Sequence, residues 1–389
     1  MRVSLSRRLS RFGAIFGVLA LAAVVPIVFS LIVTLGAQAS AQEHVYRSDV
    51  NRSQNGTVVN SNIITDTTWT RAGSPYEVIA NVSVDPGVVL TVEPGVEVRF
   101  EQNKGLTVQG TLWAVGTASQ PITFTGTSKQ PGWWSNIRIL GSSGAPNVGS
   151  RLAHVTVEYA GASYANLYLS EAQVTITDST FRGSSKDGIY AWLGGVAHMT
   201  DTQFISNTTY AVRFADGSVN PVLARLTGEQ NGIDGVALGS GTLTGAHTWE
   251  NMGMAYVIVG NESVSQGAAL TVEPGVEVRF EQNKGLTVQG TLWAVGTASQ
   301  PITFTGTSKQ PGWWSNIRIL GSSGAPNVGS RLAYVTVEYA GASYANLYLS
   351  DAQVTITDST FRGSSKDGIY AWLGGVAHMT DTQFISNTT

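Results

Sequence analysis

Cysteine is absent from all 389 residues, and charge is sparse: 23 basic and 26 acidic side chains leave a formal net charge of −3. Without cysteine there is no disulfide framework, so burial and backbone pairing must hold the fold, which a chain this long can manage. No basic run follows the N-terminal leader, and this excludes the electrostatic footprint of a nucleic-acid binder. Beyond the leader no amphipathic helical period occurs, and 44 glycines leave little room for one. Common chemical motifs are missing too. There is no serine nucleophile elbow, zinc-ligand spacing, phosphate loop or calcium-binding nonapeptide repeat.

The leader opens on Arg2, Arg7, Arg8 and Arg11, continues through an uncharged apolar run from Phe12 to Gly36, and exits through Ala37-Gln38-Ala39 and Ala39-Ser40-Ala41. That is the pattern of a secretory signal helix over residues 1–41. The apolar run is long enough to act as an uncleaved anchor, but Pro26 and the small-residue exit favour cleavage. Either way the remainder is expected to be secreted or displayed at the cell surface, touching a membrane only through the N-terminal segment. Removing the four leader arginines takes the charge from −3 to −7.

What is present is repetition. Residues 90–209 and 270–389 are the same 120 positions written twice, differing only at His154/Tyr334 and Glu171/Asp351. The offset of 180 residues also relates Thr68-Trp69, Tyr76, Asn81 and Val84 to Thr248-Trp249, Tyr256, Asn261 and Val264. A fixed period signals stacked units that share a core. It divides the chain into a capping segment over 42–67, one repeat unit over 68–247 and a second over 248–389. The second unit stops partway through a strand pattern that the first continues at Tyr210, so the natural protein is expected to continue.

Strand alternation is plain in Val96-Glu97-Val98-Arg99-Phe100, Ile137-Arg138-Ile139 and Val155-Thr156-Val157-Glu158-Tyr159. A shorter period lies inside the unit. Leu90 to Leu112 is 22 residues, Val98 to Ile122 is 24, and Tyr159, Phe181 and Phe204 fall 22 and 23 apart. Eight turns of 22.5 residues fill 180, which predicts an all-β, right-handed parallel β-helix with coils of 22–24 residues and a rise of about 38 Å per unit. A propeller would need a 45-residue self-similarity and tandem sandwiches a 90-residue one; neither is visible. Valine, isoleucine, leucine and phenylalanine should stack inside, with asparagine and serine at the corners. Asn81/Asn261, Pro94-Gly95/Pro274-Gly275 and Asp187-Gly188/Asp367-Gly368 are the turn candidates.

The phrases Leu-Thr-Val-Glu-Pro-Gly-Val-Glu-Val-Arg-Phe (90–100), Gly-Thr-Leu-Trp-Ala-Val-Gly-Thr (110–117), Pro-Ile-Thr-Phe-Thr (121–125) and Gly-Trp-Trp-Ser-Asn-Ile-Arg-Ile (132–139) resemble a recurring signature. It belongs to bacterial surface proteins with right-handed β-helix repeats of the pectate-lyase-like superfamily. The resemblance covers nearly all of residues 60–389 and implies the fold, with a structural, adhesive or glycan-binding role. It also implies an alternative: a lyase or glycoside hydrolase acting on uronic-acid polysaccharides, with a carboxylate cluster holding Ca²⁺ and a basic side chain as base. The Gly-His-Gly, clustered Asp-Asp and Asp-His motifs of such enzymes are missing.

Two sets of residues are candidate sites. Matching phrases at 175–181 and 198–204 place Asp178 and Asp201 in adjacent coils, with Lys186 nearby; Asp358, Asp381 and Lys366 repeat the set. Two carboxylates about 4.8 Å apart are suited to a calcium ion or to acid–base work. At turns, however, aspartate commonly caps backbone amides, and the template places Thr156 before this pair and Arg225 after it, so no acidic ladder continues. The second set is Trp133-Trp134 and Trp313-Trp314. Adjacent residues of an extended chain face opposite ways, so one ring of each pair should reach the surface, where it can stack on a sugar or anchor a protein. The expected partner is a polysaccharide or a cell-surface protein. Trp69/Trp249, Trp113/Trp293 and Trp192/Trp372 are expected to pack internally.

Overall fold

The computed structural model describes residues 56–388 except Ser143 and Ser323. The signal helix over 1–41 and much of the 42–67 cap therefore lie outside the described residues. From residue 56 onward the chain is one unit, an all-β parallel solenoid of about 13 turns.

Alternation builds each strand. Val98 and Phe100 turn inward with no exposure, while Glu97 and Arg99 turn outward and pair at 2.9 Å. Each coil supplies three such strands. In the first copy sheet I stacks Tyr76–Val78, Glu97–Phe100, Ile122–Gly126, Val155–Glu158, Thr180–Arg182, Gln203–Ile205 and Thr227–Glu229. Sheet II stacks Val82–Val84, Leu106–Val108, Ile137–Leu140, Ala165–Ser170, Asp187–Trp192, Tyr210–Asp216 and Ile233–Leu243. Sheet III stacks Thr67–Trp69, Val89–Val92, Thr111–Val115, Asn147–Ala153, Ala172–Thr177, Val196–Thr200 and Leu223–Ala224. Like side chains meet in the core: Phe181 stacks on Phe204 at 5.7 Å. At one corner Asn166, Asn207 and Asn231 form a ladder, the Asn207 amide donating to Asn231 Oδ1 at 2.8 Å and the Asn166 amide to Asn207 Oδ1 at 3.3 Å.

The coil count corrects the expected period. Seven coils, not eight, fill the 180 residues, because sheet I returns to its starting position after Thr227–Glu229 at Ala255–Ile258. The repeat therefore rises about 34 Å. Along sheet I of the first repeat, coils run from 22 residues (Tyr76 to Val98) to 33 (Phe124 to Val157). The longest carries the loop with Trp133 and Trp134 and a small bridge between Ser142 and Ala145. Val98 pairs with Phe124 rather than Ile122, and Phe181 with Val157 rather than Tyr159; the Phe181–Phe204 and Leu90–Leu112 registers are as expected. Pro94-Gly95 does turn, with Gly95 at φ 80°, but Asp187-Gly188 lies buried within a strand.

Where the copies meet, the sheets change partners. Strand Ile233–Leu243 is eleven residues long; Gly235–Leu238 pairs with Ala255–Ile258, which belongs to sheet I of copy two, and Gly241–Leu243 pairs with Glu262–Val264 of its sheet II. Sheet II of copy one thus runs into sheet I of copy two. The same outer face does not continue straight along the rod.

Candidate functional site

The outer positions of sheet II carry cations and aromatic rings in register. Arg138 pairs with Tyr168, Tyr168 with Tyr190, and Tyr190 with Arg213, one residue per coil. The strand period decides this: Ile137 and Ile139, Leu167 and Leu169, and Ile189 and Ala191 fill the core, so the residues between them must face out. Arg213 lies 4.1 Å over the Tyr190 ring and Arg138 5.6 Å over Tyr168, within cation–π range. Tyr164, on the preceding turn, stacks on Tyr168 at 4.8 Å, and Trp192 flanks Tyr190 at 6.3 Å. Tyr164 and Trp192 are 47% and 44% exposed, so the ladder presents open ring faces at its margin.

The arginine at one end is anchored from beneath. Asp187 is fully buried, accepts from Arg213 Nε at 2.8 Å and from the Tyr210 amide at 3.1 Å, and is bonded by the Thr209 hydroxyl. Burial raises the Tyr190 phenol above its usual range, and the adjacent Arg213 opposes that rise. In copy two Tyr344, Tyr348, Tyr370 and Trp372 repeat the platform, and Arg318 sits 5.5 Å over Tyr348. There the Tyr348 and Tyr370 planes lie 25° apart, against 62° for Tyr168 and Tyr190.

A second outward line crosses sheet III: Trp113, Arg151, Thr175 and His198 are in register on four coils. They line a cleft of about 290 Å³ with Val148, and Trp113 is 43% exposed. His198 Nδ1 accepts the Val222 amide at 3.1 Å, which leaves the other ring nitrogen to carry the proton. Trp113 and Trp192, like Trp293 and Trp372, are thus surface rings rather than packing residues; Trp69 and Trp249 are buried as expected.

The tryptophan pairs divide. Trp134 and Trp314 have no exposure, so no ligand reaches their rings. Trp134 stacks on Phe100 at 4.1 Å and donates to the Glu158 carbonyl at 2.8 Å, clamping the long loop to the core. Trp133 and Trp313 are half-buried, donating to Thr127 and Thr307 at 2.9 Å.

Asp178 and Asp201 do occupy equivalent positions in adjacent coils, since Thr177 pairs with Thr200, but at a corner rather than in a cleft. Asp178 and Asp201 hold φ of 49° and 51°, and the same corner position is filled by His154 below, not Thr156, and Arg225 above. Each of these residues turns the chain in the left-handed region, which aspartate tolerates better than most. Asp201 is exposed and paired with Arg225 at 2.6 and 2.7 Å, which holds its carboxyl below the usual range. Lys186 is at a different corner, bonded to the Ser163 carbonyl beside Tyr164, and Lys366 repeats this at Ser343. Asp358 and Asp381 share the corner geometry, at φ 48° each. The structure does not bring lysine and aspartate together. Among the described residues no three His, Asp or Glu side chains converge on one point as metal ligands.

Sequence reasoning passed over the tyrosine ladder, although a signal was present. Ala-Asn-Leu-Tyr-Leu-Ser (165–170) and Asp-Gly-Ile-Tyr-Ala-Trp (187–192) place tyrosine in the fourth position of phrases one coil apart.

No family model matches this chain, and no solved structure matches it. Among curated proteins it is similar to Protein bark beetle of Drosophila melanogaster, with 34% identity over 90 residues. The match takes in 23% of this chain and 3% of that relative, so the chain spans a small part of the relative's length.

Proposed function

We propose that this protein is an exported surface rod that binds polysaccharide through the sheet II ladders, without catalysis. The observation that carries the reading is the platform of Tyr164, Tyr168, Tyr190 and Trp192 bracketed by Arg138 and Arg213. Aromatic faces stack on the apolar faces of sugar rings, and the guanidinium groups hydrogen-bond hydroxyls or carboxylates at the margin. The resemblance to β-helix surface proteins and the secretory leader support the location. Because the two ladders lie on different sheet lines, each offers its face to a separate stretch of ligand, and the rod acts bivalently.

Titration of residues 42–389 with neutral and uronic-acid oligosaccharides tests this. Trp192→Ala with Trp372→Ala should weaken binding about ten-fold, as expected for one stacked ring per site. Trp133→Ala with Trp313→Ala should leave it unchanged. Undiminished binding in the first double variant would remove the ladder from the reading.

A further inference from the structure

The two copies differ sharply at one interior position. Val82 in the first is Glu262 in the second, and both face the core, at 2% and 1% exposure. Glu262 lies on the strand Glu262–Val264, beside the strand where the sheets change partners, and is paired with Gly241 on one side and Leu286 on the other. Neither of its carboxyl oxygens has a hydrogen-bond partner. A carboxylate in that position is the costliest way to fill a core site, unless it is neutral.

The surroundings offer acceptors. A Cβ placed on Gly217 would sit 1.6 Å from Glu262 Oε1 and 2.6 Å from the Gly239 carbonyl oxygen, so the carboxyl occupies the space this glycine leaves, beside a carbonyl. Neighbouring donors are engaged elsewhere. The Ser218 amide and hydroxyl both bond Asp216 Oδ1, at 2.9 and 2.6 Å, and the Asn261 amide bonds Ser240 Oγ at 3.2 Å. The Glu262 amide itself donates to the Gly285 carbonyl. Backbones crowd too closely to admit a hydration shell: a Cβ on Gly241 would meet the Ser218 nitrogen at 2.3 Å, and one on Gly260 the Ser240 nitrogen at 2.1 Å.

We infer that Glu262 is a proton-binding site that sets the tightness of the joint between the two copies, tight when the carboxyl is neutral and looser as ionisation becomes favourable. Burial first, and the Asp216 charge second, push its carboxyl up to about 8 from 4.5. The other charged groups on the packed strands are engaged. Arg213 holds Asp187 at 2.8 Å, Tyr210 donates to Glu281 at 2.6 Å, Asp234 accepts from the Asn231 amide at 3.0 Å, and the Glu250 carboxylate accepts the Leu223 amide at 3.3 Å. Strand Leu286–Val288 carries no ionisable side chain. No counter-cation faces Glu262 from any of them.

The direction follows from linkage. The closed joint binds the proton more tightly than the opened one, so its advantage is full in acid, falls as pH rises from about 4.5, and levels off above about 8. Across that window the opening equilibrium rises about ten-fold per pH unit.

Amide hydrogen exchange over residues 233–264 of the full chain reads the joint directly, compared between wild type, Glu262→Val and Glu262→Gln. Valine is what copy one carries here, and glutamine keeps the size without the charge. Between pH 5 and pH 8 the wild-type-to-variant ratio of opening should climb about ten-fold per unit and then flatten. A flat ratio overturns the inference. So does protection that calcium or sodium chloride restores at pH 8 in wild type alone, since that result assigns the site to a metal cation instead of a proton.

Discussion

Replacing Trp134 by alanine tests whether the tryptophan pair is a clamp or a ligand platform. The ring is fully buried, lies 4° from parallel with Phe100 at 4.1 Å, and its Nε1 donates to the Glu158 carbonyl at 2.8 Å. Deleting a buried tryptophan leaves a cavity and costs about 3–5 kcal/mol. About 1 kcal/mol of that is the lost indole hydrogen bond. Trp133→Ala removes a half-buried ring and a surface bond to Thr127 at 2.9 Å, which should cost under about 1.5 kcal/mol. Copy two supplies an internal control. Trp314 stacks on Phe280 at 4.1 Å and bonds the Glu338 carbonyl at 2.9 Å, so Trp314→Ala should lose a similar amount. Urea unfolding followed by far-ultraviolet circular dichroism reads the loss, taken from the first transition because stacked coils need not melt together. Equal losses for Trp133→Ala and Trp134→Ala would refute the clamp. Weakened glycan binding by Trp134→Ala at unchanged stability would refute it from the other side.

Two further outcomes follow from the same structure. Asn207→Ala removes a buried amide that donates to the Phe181 carbonyl and Asn231 and accepts from the Ser184 amide and Asn166; it should cost about 2–4 kcal/mol in urea unfolding, and a neutral result would deny the ladder any structural weight. Asp201→Asn and Arg225→Ala break an exposed pair at a corner and should leave the unfolding midpoint where it was; a clear drop would show that the corner is held by charge rather than by backbone bonds.

The fold was legible because each strand is written in its own residues. Val96 to Phe100 and Val155 to Glu158 alternate so plainly that inward and outward positions follow from the pleat. The number of coils was less legible. The template was drawn from the regular turns ending at Phe181 and Phe204, whereas the turn from Phe124 to Val157 spends its extra residues on a loop that leaves the sheet. The corner beneath Asp178 was displaced by two residues because Phe181 pairs with Val157 rather than Tyr159, so that His154 and not Thr156 carries the left-handed backbone. The tyrosine ladder needed that register before it could be seen: Tyr168 and Tyr190 are unremarkable singly and become a platform only when Arg138 and Arg213 are set beside them.

Burial in such a chain belongs to the neighbouring coil more than to the local sequence. Phe204 has no exposure because Tyr210–Asp216 and the strands after it cover the coil it belongs to. Residues 90–209 and 270–389 are nearly identical, so most positions that separate the copies lie outside that stretch. Glu262 in place of Val82, Gly217 making room for it, and the eleven-residue strand Ile233–Leu243 all lie in the segment that the long identity omits. Duplication supplied two ladders with the same tyrosines and tryptophan. The unequal segment between them decides which way each ladder faces, and on the present inference how firmly it is held there.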